Sequence, residues 1–175
     1  EEKIITLATN AFGTGHDVFY NFDNADINLG EITDEDGNKV LLTNSNYIKY
    51  MSSKKREVRE DAFNHMYTYF QNFKNTLAAS YNGKIKENFF ISEVKKFKDP
   101  LEASLFADNI SKSVYTNLID TIHDNMSLMY EYLKLRKKIL NYDEMHMWDI
   151  YVDACQDGVA QNGDEILQVL VPSSS

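Results

Sequence analysis

The longest unbroken pattern in this chain occupies residues 52–97, "SSKKREVREDAFNHMYTYFQNFKNTLAASYNGKIKENFFISEVKKF", and it is helical. Val58, Ala62, Met66, Tyr69/Phe70, Phe73, Leu77 and Tyr81 recur at three- and four-residue steps, which paints one stripe along a helix. Core is the simplest reading of that stripe, and the fold class it sets is mainly α: an antiparallel bundle of long helices. Gly83 is either a break or a point where another helix comes close, because glycine costs only about 1 kcal/mol relative to alanine inside a helix. Asp99-Pro100 is a firmer boundary, since the residue before proline avoids the α region while proline suits a first helical turn.

On the N-terminal side, Ile4, Leu7, Ala8 and Ala11 share a helical face that stops at Gly13-Thr14-Gly15. A second short helix is expected after it, capped by Asp17 or Thr14, with Val18, Phe19 and Phe22 as its apolar side. Residues 27–43 then read as one short β-hairpin, with "DEDGN" as its turn. That acidic turn invites a calcium reading. An EF-hand loop needs glycine at position six, however, and counting back from Gly37 puts Ile32 at position one, so a solvated turn is the reading taken.

On the C-terminal side, "PLEASLFADN" reads as a short helix or turn, and Ser111 as the cap of a helix with the face Val114, Leu118, Ile122, Met126, Met129, Leu133 and Ile139/Leu140. Arg136, Lys137 and Lys138 close it, as basic residues do at the negative end of a helix dipole. The tail from Ala154 is less regular, with a late apolar run at residues 166–171.

Charge narrows the partners. The net charge of -9, from 27 acidic against 18 basic residues, repels phosphate backbones and anionic lipid, so neither nucleic acid nor membrane is expected. The 175 residues contain a single cysteine, Cys155, which rules out an internal disulfide and a cysteine-based zinc cage and fits a reducing, cytoplasmic setting. The start, "EEKIITLATN", has neither an initiator Met nor a signal-peptide layout, and the chain is expected to be an excised piece.

A His-Glu-x-x-His helix sets two imidazoles one turn apart on zinc, with the glutamate activating the bound water. The four histidines here are followed by Asp17, Met66, Asp124 and Met147, so none begins that motif. The densest mixed cluster is Asp143, Glu144, His146, Trp148, Asp149 and Tyr151. His146 with Asp143 or Asp149 has the donor types to hold a cation, against the plainer reading of a packed amphipathic histidine. His123 is expected as a partly buried imidazole bonded to a neighbouring turn. No residue is assigned as catalytic, cofactor-binding or metal-ligating.

Three stretches resemble, in order and spacing, the middle of the oligoendopeptidase F group of zinc metallopeptidases, relatives of thimet oligopeptidase. They are "LTNSNYIKYMSSKKREVREDAFNHMYTYFQNFKNTLAASYNG", "KKFKDPLEASLFADNISKSVYTNLIDTIH" and "YLKLRKKILNYDEMHMWDIYV". The most specific parts are Arg56-Glu57-Val58-Arg59 with Ala62-Phe63, and residues 101–119. The resemblance covers about residues 1–152 and leaves 153–175 as a tail of doubtful homology. It implies a helical scaffold or channel wall of an enzyme that cleaves oligopeptides with zinc-activated water, the zinc motif lying downstream of the matched segment. The expected partners are then the rest of the peptidase chain, peptide substrate in the full-length enzyme, and self-association through uncovered apolar stripe. The alternative is a non-catalytic helical interaction module derived from that scaffold.

Overall fold

The computed structural model describes residues 2–154; Cys155 and the apolar run at 166–171 lie outside them. As expected, the described chain is mainly helical with one antiparallel hairpin. It divides into two compact units, one of Glu1–Asn28 with Thr68–Asn125, the other of Leu29–Tyr67 with the described residues from Met126 onward. No helix among the described residues is long and apolar enough to cross a membrane.

The first unit opens with α1 (Glu2–Phe12), which stops before Gly13, and α2 (Thr14–Asn21). Neither Asp17 nor Thr14 caps α2: its N-cap is Gly13, without a side-chain cap, and Thr14 is already its first residue. A π-helical turn, Phe22–Asp26, follows and buries Phe22 against the rings of Tyr69, Phe70 and Phe73. α5 (Lys74–Val94) passes through Gly83 unbroken. α2 packs against α5 at this point, but the close approach rests on Gly15: a Cβ there would stand 3.1 Å from the Ser80 carbonyl oxygen, one on Gly83 would be in ordinary contact 3.9 Å from the Gly15 Cα, and the Ser80 hydroxyl donates to the Gly15 carbonyl at 2.5 Å.

α6 (Pro100–Phe106) begins as expected, with Asp99 accepting from the Glu102 N–H at 2.9 Å and Pro100 in the first turn. Its end explains the Asp-Asn pair in residues 101–119. Asn109 takes φ +53°, its N–H reaches the Phe106 carbonyl, and the Ile110 N–H reaches that of Leu105. This crossed pair of bonds terminates a helix, and asparagine tolerates the left-handed conformation it needs. The same arrangement follows α5 at Lys96, φ +60°. α7 (Lys112–Asp124) completes the unit; Ser111 is its N-cap, although its hydroxyl pairs with Ser113 rather than the helix.

The second unit holds most of the buried apolar side chains among the described residues: Leu29, Ile32, Leu42, Tyr50, Met51, Val58, Ala62 and Val152. The hairpin, β1 (Glu31–Thr33) and β2 (Lys39–Leu41), pairs Ile32 with Val40 and turns at Gly37, φ +87°. The Asp34 carboxylate is consumed by that turn, accepting from the N–H groups of Asp36 and Asn38 at 2.9 and 2.8 Å. The bond from Asn38 leads in holding its carboxyl below the usual carboxylate range. Next, α3 (Asn44–Met51) starts in a capping box between Thr43 and Asn46.

α4 (Arg56–Asn72) carries Val58 and Ala62 into this core. Two expected long helices are each interrupted. Phe73, at φ -105° and ψ 14°, separates α4 from α5, and Asn125, at φ -106° and ψ 9°, separates α7 from α8 (Met126–Ile139). α8 ends at Asn141, φ +52°, in a third crossed-bond cap.

Candidate functional site

Of the residues that sequence reading gathered around His146, Asp149 meets two arginines, whereas Asp143 and Tyr151 are exposed. Residues 142–152 fold onto the start of α4, where Arg56 and Arg59 stand one turn apart and flank the buried Val58. Arg56 grips Asp149 with two parallel bonds, Nε to Oδ1 at 3.1 Å and Nη2 to Oδ2 at 2.8 Å. Arg59 Nη2 adds a bond to Oδ1 at 2.9 Å, and the backbone N–H of His146 fills Oδ2 at 3.0 Å. Arg59 and Asp149 are both 0% exposed.

Every donor of Arg59 is used. Nε reaches the Trp148 carbonyl, Nη1 the carbonyls of Ser53 and Lys54, and Nη2 the Tyr142 hydroxyl besides Asp149. Five N–H groups with five acceptors is what a fully buried guanidinium requires. Arg56 also donates to the Glu144 carbonyl at 2.9 Å and lies 4.6 Å over the Tyr142 ring. Arg136, read from sequence as a helix-end charge, is buried instead and donates to the carbonyls of Asp149 and Val152 at 3.2 and 2.5 Å. Burial alone would raise the Asp149 carboxyl. The bonds from Arg56, the His146 N–H and Arg59 outweigh it and hold the group below the usual carboxylate range.

The arrangement can orient backbone and keeps the Asp149 carboxyl ionised to lower pH than usual, and it has no open lone pair with which to take a cation. Both oxygens of Asp149 already accept two bonds each. The His146 ring stacks on Trp148, centroids 4.4 Å apart and 11° from parallel, with Nε2 4.0 Å from Glu144. Asp143 is exposed, and among the described residues no group of three or more His, Cys, Asp or Glu side chains is placed to hold a metal. Zinc therefore does not fit the donor set around His146. His123 is exposed in the last turn of α7, not tucked into a neighbouring turn as expected.

Outside the arginine cluster, each unit has a hollow among its described residues. In the first unit a cavity of about 360 Å³ is lined by Gly15, His16, Phe19, Leu77, Tyr81 and Lys84. In the second, an acidic hollow of about 540 Å³ lies between the hairpin turn and α4, with Glu57, Glu60 and Asp61 on its wall. Asp61 also pairs with His65, Oδ1 to Nδ1 at 3.1 Å.

These features define a mainly helical segment in which Arg56, Arg59 and Asp149 form a buried ionic clamp. A sequence model described as Peptidase family M3 matches residues 49–163, and the chain belongs to that family. It is 38% identical to oligopeptidase PepF of Bacillus subtilis over 90% of this chain and 23% of the relative. It is 34% identical to an oligoendopeptidase F homolog of Borreliella burgdorferi over 94% of this chain and 27% of the relative. The crystal structure of oligoendopeptidase-F from Enterococcus faecium superposes with a TM-score of 0.82 at 31% identity, covering 93% of this chain and 31% of that one. The chain thus spans about a quarter of the length of the curated relatives it matches.

Nothing local in the sequence pairs Arg59 with Asp149. The available signal was Arg56-Glu57-Val58-Arg59 itself: two arginines one turn apart, either side of a core valine, must both find acceptors once that valine is buried.

Proposed function

We propose that this chain is a scaffold segment of an oligoendopeptidase F-type zinc metalloendopeptidase, working in a cytoplasmic setting. In this reading it forms part of the wall around the peptide site, while residues outside these 175 supply the paired imidazoles and the carboxylate that hold zinc and activate water. What supports it is colinear similarity over nine-tenths or more of the chain to about a quarter of peptidases of this type. The clamp suits the role: a bidentate arginine–carboxylate pair holds a loop in one geometry and takes no part in proton transfer.

The experiment measures cleavage of a fluorogenic oligopeptide by the purified 175-residue chain with equimolar zinc, beside the longer peptidase chain. The expected outcome is turnover by the longer chain alone, abolished by a chelator. Chelator-sensitive turnover by the 175 residues would overturn the proposal.

A further inference from the structure

α7 presents a face that its own unit leaves uncovered. None of its 13 residues is buried. Val114, Leu118 and Ile122 follow one another at four-residue steps, on one side of the helix, and are 59%, 59% and 52% exposed. Lys112, Asp120 and Asp124 fall off that stripe, so its seam is apolar throughout. A helix shorter than about 12–15 residues is marginal in water unless an amphipathic face is packed. The anchors of α7 lie at its start, where Lys112 pairs with Asp99 at the cap of α6. Its stripe therefore calls for a partner.

We infer that the stripe Val114–Leu118–Ile122 docks an amphipathic helix belonging to the remainder of the peptidase chain. The inference rests on the peptidase reading above and adds to it the surface through which the missing portion attaches. Two observations select this occupant over a second copy. The relatives carry about three-quarters of their length outside the matched segment, which is ample chain to supply a helix. Each copy of the present chain also bears a net charge of -9, which opposes association of like with like.

The test compares hydrogen exchange of the α7 amides in the 175-residue chain and in the longer peptidase chain, with oligopeptide hydrolysis by the longer chain assayed in parallel. Exchange within α7 is expected to be slower by at least about tenfold in the longer chain, because a packed helix opens less often than an unpacked one. Leu118→Glu in the longer chain should return it toward the faster rate. Val114→Ser, a milder change, should lose part of the protection should the glutamate variant fail to fold.

Equal exchange in the two chains overturns the inference. So does protection in the 175-residue chain that grows with its concentration, which assigns the stripe to a second copy. Protection that appears in the longer chain only when oligopeptide is added also overturns it, by assigning the stripe to substrate. Hydrolysis reports separately: α7 protected in a longer chain that cleaves nothing sustains the docking and defeats the peptidase reading, whereas cleavage with α7 unprotected does the reverse.

Discussion

Asp149 shows how a residue flagged for one chemistry serves another. It lies beside a histidine, as a metal ligand would, yet its four acceptor positions are taken by two arginines and a backbone N–H. Replacing it with asparagine keeps the shape and leaves two guanidinium groups facing a neutral amide, so Asp149→Asn should lower the unfolding free energy in urea by roughly 3–5 kcal/mol. The pH dependence has a definite sign. A carboxyl held below its unfolded value of about 3.9 stabilises the fold above that pH, and its contribution is lost as pH falls through the depressed folded value. The unmodified chain should therefore lose urea resistance steeply in acid, and the asparagine variant less steeply. Equal acid slopes for the two would show that the clamp does not carry the effect. Sequence reading reached Asp149 and His146 as neighbours, but the two arginines that hold Asp149 lie 93 and 90 positions earlier, a pairing that only the fold reveals.

Among the elements, legibility follows how local the cause is. The Asp99-Pro100 start, the hairpin turn and the helical periods of α4, α5 and α7 were readable because each is set within a few residues. The breaks at Phe73 and Asn125 were not. Both keep the apolar spacing intact on either side, and at Phe73 packing of the ring on Phe22 and Tyr69, 5.2 and 5.0 Å away, accompanies the departure from helical dihedrals. The two glycines of the α2–α5 contact look alike in sequence and differ in space. A Cβ at Gly15 would stand 3.1 Å from the Ser80 carbonyl oxygen, which is backbone and cannot swing aside, whereas one at Gly83 would meet an ordinary 3.9 Å contact. Gly15→Ala should then cost about 1–3 kcal/mol by overpacking, while Gly83→Ala should be neutral or gain up to about 1 kcal/mol of helix propensity. Thermal unfolding of the two variants checks this; a stabilised Gly15→Ala would mean that the helices do not approach as closely as drawn.

For the whole molecule, the balance between buried and exposed apolar surface is the property that bears most directly on the proposed scaffold role. Large aromatic and aliphatic side chains such as Ile4, Leu7, Tyr81 and Phe106 are 60–70% exposed. Segments of a longer chain would cover such side chains, and this is the physical content of the scaffold reading. The consequence can be measured with a neutral apolar dye, Nile red, chosen because a net charge of -9 would repel an anionic one. In native buffer the 175-residue chain should brighten the dye several-fold more per mole than the longer peptidase does, with helical circular dichroism retained throughout, because the same faces are open in one and packed in the other. A native 175-residue chain that leaves the dye dark would mean that its apolar faces close on themselves, and the need for a covering partner would fall with that result.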